Sequence, residues 1–106
     1  MKSKFVIGYC TFPNEAIAEQ ISEMLVSEGT IACANIYGPI RSIYRWGGRL
    51  QKEKEWVAIL KTAETKKATL MERVRATHPY TNPCLVFAEI SGGLPDFLKW
   101  IYTQTV

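Results

Sequence analysis

Residues 42–62 read SIYRWGGRLQKEKEWVAILKT, and they contain the turn from which the rest of the fold follows. Gly47 and Gly48 separate two long runs, and adjacent glycines supply the positive φ angles that a two-residue hairpin turn requires. We therefore predict a β-hairpin in which Trp46 pairs with Arg49. Side chains alternate along strands, so each face of this hairpin mixes aromatic and charged residues. One face carries Tyr44, Trp46, Gln51, Glu53, Glu55 and Val57, and the other carries Ile43, Arg45, Leu50, Lys54, Trp56 and Ala58.

The arms of this hairpin are longer than one small domain needs. Twelve residues in a strand span about 40 Å, whereas a domain of about a hundred residues has a radius of gyration of about 13 Å. We expect the hairpin to project from its own subunit and to contact a second copy of the chain. The alternative is a bulged hairpin that folds back on its own subunit, because bulges are common where strands bend.

Composition and charge indicate one ordinary globular domain over residues 1–106, with 47% hydrophobic and 22% charged residues. No apolar run approaches the roughly 20 residues of a membrane helix. The apolar run within the first ten residues, MKSKFVIGYC, is shorter than that of a signal peptide. These features predict a cytoplasmic protein without membrane insertion. The net charge of +3 comes from dispersed basic residues, which is more typical of a solvated surface than of a nucleic-acid interface.

The first half of the chain predicts a strand, a helix and a second strand. Phe5–Cys10 is a short apolar run with strand character. Asn14 is placed to cap a helix that ends at Gly29. Ile31–Ile36 resumes the strand pattern, and the Gly38-Pro39 pair predicts a bend or bulge before the hairpin begins.

The second half repeats this order after the hairpin. Thr65 is placed to cap a second helix, whose inward stripe we predict to be Leu70, Met71 and Val74 and which ends at His78-Pro79. Leu85–Ile90 is predicted as the fourth strand, and Pro95–Tyr102 as a short terminal helix.

The resulting order β-α-β-β-α-β-α predicts an α+β protein with a ferredoxin-like sandwich. Two right-handed crossovers place both main helices on one face of a four-stranded antiparallel sheet. The other face is left uncovered, and aromatic residues lie near it. Burial of that face in a closed ring, such as a trimer, is the simplest arrangement.

Several short motifs, in this order, resemble those of the CutA family, the small divalent-cation tolerance proteins. The resemblance covers nearly the whole chain. The motifs are CTFP at residues 10–13, IACANI at 31–36, SIYRWGG at 42–48, KT at 61–62, HPY at 78–80 with Pro83, and LKW at 98–100. The resemblance implies a ferredoxin-like homotrimer, architecturally similar to the PII signalling proteins and linked to tolerance of copper and other divalent metals. It implies no enzymatic reaction and no organic cofactor.

Thiol and imidazole groups form the first candidate site. Cys10, Cys33 and His78 are the predicted ligands of copper or another divalent metal, since these groups suit Cu(I), Cu(II) and Zn. The resemblance implies metal-linked cysteines at Cys10 and Cys33. A third metal-linked cysteine of the family matches the position that Arg73 occupies in this sequence. The alternative is that Cys10 and Cys33 are neighbouring buried strand residues and that His78 bonds to the backbone. Cys84 is predicted to pack in the core.

A polar cleft between subunits is the second candidate site. Aromatic walls, hydrogen-bond donors and a carboxylate are typical of a pocket for a small ligand or anion. The predicted binding residues are Tyr44, Trp46, Glu55, Lys61 and Tyr80, together with His78. The alternatives are interface packing for the two aromatic residues of the hairpin, and an ion pair with a neighbouring subunit for Lys61.

Other function classes lack their characteristic patterns. An enzyme would need one of the cysteines as nucleophile and His78, the one histidine of the chain, as base. RNA-binding domains of this topology carry aromatic motifs on a strand that here reads KEKEWVAILK. A metallochaperone would need a CxxC motif in its first loop, and the sequence has none. We therefore predict a non-catalytic trimer that responds to divalent metal, with PII-like ligand sensing or partner anchoring as the alternative.

Overall fold

The computed structural model describes residues 4–105 and has the predicted ferredoxin-like architecture. Residues 1–3 and 106 of the predicted domain lie outside the described residues. The four strands form one antiparallel sheet in the order β2-β3-β1-β4. The elements are β1 (Phe5–Phe12), α1 (Glu15–Ser27), β2 (Cys33–Trp46), β3 (Arg49–Ala63), α2 (Lys67–Thr77), β4 (Leu85–Glu89) and α3 (Pro95–Gln104), with a 3-10 turn at Glu64–Lys66.

Local capping chemistry places α1 as predicted, whereas α2 begins differently. The Asn14 side chain accepts a 2.9 Å hydrogen bond from the backbone N–H of Ile17, and Gly29 takes the left-handed conformation with φ +74°. The prediction that Thr65 caps α2 is wrong, because Thr65 lies inside the 3-10 turn that precedes the helix. Met71 is also not inward: its side chain is 39% exposed, because it lies about 100° around the helix from Leu70.

Long-range pairing extends the strands beyond their predicted ends. β1 continues to Phe12, because the long strand β3 extends far enough for Trp56 to pair with Phe12. β2 begins at Cys33 and runs through the predicted interruption, with a cis Gly38–Pro39 bond and an irregular register between Tyr37 and Ile40. The bend that Gly38-Pro39 predicts is therefore a bulge within one continuous strand.

The hairpin has the predicted register and projects from its own subunit. Trp46 pairs with Arg49, and Gly47 and Gly48 have φ angles of +59° and +75°. The side chains of Trp46 and Leu50 near the tip are 55% and 64% exposed. The longest dimension of the subunit is 44 Å, against 28 and 22 Å for the other two. Contact between this hairpin and a second copy stays a prediction.

The two faces of the sheet have different surroundings. Both main helices pack on the face that carries Cys10 and Phe12 of β1 and Ala58 and Leu60 of β3. The opposite face leaves large side chains in contact with solvent, such as Tyr37 at 50% exposure. No helix within residues 4–105 is long and apolar enough to cross a membrane.

Candidate functional site

Four segments of the fold meet at a cleft along the hairpin, between Glu55 at its base and Trp46 near its tip. The cleft has a volume of about 360 Å³. Strand β3 contributes Glu55 to it, strand β2 contributes aromatic walls, and the end of β1 and the loop after α2 close the remaining sides. The lining residues are Thr11, Tyr44, Trp46, Glu55, Tyr80, Thr81 and Asn82. The structure therefore brings together four of the five predicted ligand-binding residues.

Glu55 is a nearly buried carboxylate within this cleft. It is 8% exposed, and the hydroxyl of Tyr80 donates a 2.9 Å hydrogen bond to its Oε2. Burial raises the pKa of Tyr80, and the hydrogen bond and negative charge of Glu55 raise it further. The phenol therefore stays protonated and remains a donor to the carboxylate at neutral pH.

His78 lies behind the cleft and is fully engaged by its own subunit. Its Nδ1 accepts a 3.1 Å hydrogen bond from the backbone N–H of Tyr80. Its Nε2 lies 2.8 Å from the carbonyl oxygen of Thr11. This pair of contacts requires the proton on Nε2, which donates to Thr11. The ring also stacks on Phe12 with centroids 4.9 Å apart, and burial lowers the pKa of His78.

Neither nitrogen of His78 is left free for a metal. The imidazole is 8% exposed, and a metal ion at either nitrogen would displace one of its two backbone partners. The arrangement is the backbone-bonded histidine that the sequence offered as the alternative to a ligand.

The two cysteines of the predicted metal site lie on opposite faces of the sheet. Cys10 pairs with Ala58 on the helix-covered face, whereas Cys33 pairs with Lys61 on the other face. Strand β3 lies between β1 and β2, so the expectation that the two cysteines are neighbours is wrong. Cys10 is fully buried, and burial raises the pKa of its thiol to about 12. The structure therefore does not bring Cys10, Cys33 and His78 together within one subunit.

Cys84 directly precedes β4 and is half-buried. Burial raises the pKa of its thiol, and the negative charge of Glu55 adds to this rise. A hydrogen bond with Thr11 acts in the opposite direction. Cys84 therefore lies near Thr11 and Glu55 of the cleft, whereas the sequence predicted it to pack in the core.

Lys61 lies far from the cleft. It is on the same strand as Glu55 but six residues further along, which corresponds to about 20 Å. Its Nζ donates a hydrogen bond to Oδ1 of Asn35, and it pairs with Cys33 across the sheet. Within one subunit, Lys61 therefore serves a different part of the surface from the other four candidates.

Comparison with known proteins agrees with this architecture. A family model described as CutA1 divalent ion tolerance protein matches residues 6–104. The chain belongs to this family. The divalent-cation tolerance protein CutA of Thermotoga maritima is 38% identical over 91% of this chain and 94% of its own length.

Solved CutA structures superpose closely on the subunit. CutA1 from Oryza sativa has a TM-score of 0.95 at 32% identity, covering 99% of this chain and 96% of its own. The CutA of Archaeoglobus fulgidus, described as periplasmic, has a TM-score of 0.93 at 35% identity, covering 96% and 99%. The names of the family model and of the Thermotoga and Archaeoglobus proteins describe tolerance of divalent ions, and none of the names assigns a reaction. Because one of them is periplasmic, cytoplasmic location of this CutA protein stays a prediction.

The charge of the cleft favours a cation over the predicted small anion. Glu55 is the one carboxylic acid among its lining residues, and no lysine, arginine or histidine of the same subunit lines it. Tyr44 and Trp46 present aromatic rings, which attract cations through their negative faces. Among the described residues, however, no group of three or more histidine, cysteine, aspartate or glutamate side chains converges on one point.

Three lining residues escaped the sequence interpretation: Thr11, Thr81 and Asn82. Thr11 belongs to the CTFP motif and directly follows the predicted strand Phe5–Cys10. Thr81 and Asn82 precede Pro83, and an Asn-Pro pair is a turn signal. A turn directly after the HPY motif was the available indication that these side chains would lie beside Tyr80.

Proposed function

We propose that the protein acts as a non-catalytic homotrimer in tolerance of divalent metals such as copper, and that its Glu55 cleft holds a cation between subunits. The observation that carries the proposal is the position of Glu55. Its carboxylate is nearly buried and faces a cleft, and among residues 4–105 it has one hydrogen-bond donor, Tyr80, and no basic partner. A carboxylate has room for about four hydrogen bonds or metal contacts, so Glu55 retains acceptor capacity toward the cleft.

A neighbouring subunit would complete the site. Tyr44 and Trp46, at 41% and 55% exposure, lie on the hairpin that projects from its own subunit. When the hairpin contacts a second copy, these rings enclose the cleft and exclude water, which strengthens the attraction between Glu55 and a cation. Oxygen ligands from Glu55, Thr11 and the facing subunit suit hard divalent ions better than copper.

Titration calorimetry with Mn(II), Zn(II) and Cu(II) tests the proposal, since Mn(II) is a hard ion that oxygen ligands prefer. Glu55→Gln keeps the size and hydrogen bonding of the side chain but removes its charge, and we expect it to weaken binding at least about tenfold because a buried charge is lost. Glu53→Gln is the matched control, since Glu53 lies two residues away on the same strand and outside the cleft. Equal isotherms for the wild type and Glu55→Gln would remove Glu55 from the site.

The copper interpretation needs a separate variant. Cys33 is half-buried on the face of the sheet that the proposed trimer covers, so cysteines from different subunits could approach one another there. Cys33→Ser is expected to lower affinity for copper more than for zinc if thiolates take part. Unchanged copper binding in Cys33→Ser, together with weakened binding in Glu55→Gln, would assign the metal to the cleft alone.

A second candidate function is PII-like sensing of a small organic molecule, without direct binding of metal. The aromatic walls of Tyr44 and Trp46 favour it, because flat organic cations stack on such rings. The calorimetric experiment separates the two. Absence of metal binding in the wild type would leave organic cations as the ligand class for the cleft.

A further inference from the structure

A second groove lies on the opposite side of the subunit, between α1 and the edge strand β2. Its volume is about 570 Å³. Ala34 and Ile36 of β2 and Val26 of α1 give it an apolar floor, and carboxylates and hydroxyls form the helical side. The lining residues are Glu19, Ser22, Glu23, Val26, Ser27, Ala34 and Ile36. None of them belongs to the Glu55 cleft.

Ser22 carries the observation that points to a ligand. It is 4% exposed, so its hydroxyl is almost removed from solvent. Its Oγ has no hydrogen-bond partner within residues 4–105, and it lines the groove. An unpaired buried hydroxyl is unfavourable, and a polar group placed in the groove would satisfy it.

The charge along α1 indicates what that group is. Glu15, Glu19 and Glu23 recur every four residues, and the helix contains no lysine or arginine, in a chain whose net charge is +3. Like charges at this spacing destabilise a helix. Neither Glu19 nor Glu23 forms an ion pair with another described residue. The groove is therefore suited to a positively charged group with an apolar stem, as in arginine or lysine.

The edge of the sheet supplies a second means of attachment. Among residues 4–105, strand β2 pairs only with β3, so part of its backbone between Cys33 and Tyr37 has no partner within the sheet. Such an edge accepts an added strand. Side chains of an added strand alternate in direction, and every second one would enter the groove beside α1.

We propose that this groove binds an extended basic segment of a partner protein, which adds to the edge of β2 and places an arginine or lysine side chain between Glu19 and Glu23. Ser22 Oγ accepts a hydrogen bond from the cationic group, and Ile36 and Val26 contact its aliphatic stem. The groove lies on the helix-covered side of the sheet, so it stays open when the opposite face is buried between subunits.

A blocked, fluorescently labelled hexapeptide that alternates arginine and valine is the probe. Fluorescence anisotropy gives its affinity for the full chain. The double variant Glu19→Gln/Glu23→Gln is expected to bind about fivefold more weakly, since two exposed charge contacts are lost. Glu15→Gln is the matched control on the same helix, outside the groove, and is expected to change affinity less than about twofold. The corresponding glutamate-valine peptide should not bind.

Two further measurements separate docking from general charge attraction. Amide chemical shifts in labelled protein should move for residues 33–37 and for Ser22. Ser22→Ala should raise the melting temperature of the free protein, because it removes an unpaired buried hydroxyl. The same substitution should lower the affinity for the peptide. An unaltered peptide affinity in Ser22→Ala would contradict the hydrogen bond.

Several outcomes would overturn the proposal. These are absence of peptide binding, equal losses in the double variant and in Glu15→Gln, and shifts confined to the hairpin. An N-methylated peptide that cannot pair with β2 but binds equally well would exclude strand addition. A lower solution mass for Glu19→Gln/Glu23→Gln would show instead that the groove is an interface between copies of this chain.

Discussion

The hydroxyl of Tyr80 lies 2.9 Å from Oε2 of Glu55 and donates a hydrogen bond to it. This bond joins the loop after α2 to strand β3 at the base of the hairpin. Glu55 is 8% exposed, and burial of a carboxylate is costly unless hydrogen bonds compensate for the lost water. The phenol thus stabilises a charge that the rest of the subunit leaves facing the cleft.

Tyr80→Phe is expected to lower the free energy of unfolding by about 2 kcal/mol, because it removes a hydrogen bond to a buried charged group. Urea denaturation at pH 7.5 measures the change. Tyr102→Phe is the control, since Tyr102 is 59% exposed, and its effect should stay within about 0.5 kcal/mol. Equal stability of Tyr80→Phe and the wild type would show that water replaces the phenol at no cost.

Acid should destabilise the protein through His78. Burial lowers the pKa of His78 in the folded state, and this outweighs the opposing effects of the bond to Thr11 and the charge of Glu55. The unfolded chain has a histidine pKa of about 6.5, so below that pH the unfolded state binds more protons than the folded state. Stability is therefore complete above pH 6.5 and falls as the pH drops below it, by at most about 1.4 kcal/mol per pH unit.

Urea denaturation at pH 7.5, 6.5 and 5.5 tests this pH dependence. His78→Gln removes the titrating group, so its free energy of unfolding should depend less on pH across this interval even if it is lower throughout. Parallel curves for the wild type and His78→Gln would assign the acid sensitivity to carboxylates instead.

Local sequence signals predicted the elements well where the chemistry is local. The Gly47-Gly48 pair determines the turn and, with it, every partner from Trp46 and Arg49 down to Tyr44 and Gln51. Asn14 caps α1 with its own side chain. Thr65 has the same capping chemistry but lies in a 3-10 turn, because the chain leaving β3 needs an extra tight turn before α2 begins.

The candidate sites depended on pairing between distant segments, and the sequence predicted them only in part. Tyr44, Glu55 and Tyr80 share a cleft because the hairpin register and the loop after α2 converge there. The side chains of Cys10 and Cys33 lie on opposite faces of the sheet, because the register of each strand against β3 determines which face each cysteine occupies. The strand patterns of FVIGYC and IACANI carry no information about that register.

Gly38→Ala should destabilise the protein, because the added Cβ would lie 2.6 Å from Cδ1 of Trp56. Overpacking of this kind lowers the free energy of unfolding by about 2 kcal/mol. Gly92→Ala is the control, since nothing lies within 4 Å of its added Cβ. Combining Gly38→Ala with Trp56→Leu should recover part of the loss, and failure of that rescue would place the strain elsewhere.

Cys10 should be the slowest of the cysteines to react with iodoacetamide. It is fully buried, and a thiol pKa of about 12 leaves almost no thiolate at pH 8. Mass spectrometry of peptides from protein labelled at pH 8 gives the rate at each cysteine. Cys84, which is half-buried, should be modified before Cys10. Similar rates at Cys10 and Cys84 would show that Cys10 becomes accessible in the folded state and would restore it as a candidate metal ligand.

The projecting hairpin should hold the subunits together in solution. A long two-stranded ribbon is marginally stable in water without packing against other elements, yet Trp46 and Leu50 are 55% and 64% exposed in the subunit. Burial of two such side chains contributes about 3–6 kcal/mol per subunit. Light scattering should therefore give a mass near three times the 12.0 kDa of the chain. Trp46→Ser/Leu50→Ser should dissociate the assembly, whereas Val26→Ser on α1, 43% exposed and on the helix-covered side, should not. A wild-type mass of one chain would exclude the trimer, and a trimer that survives the double substitution would exclude the hairpin tip as its anchor.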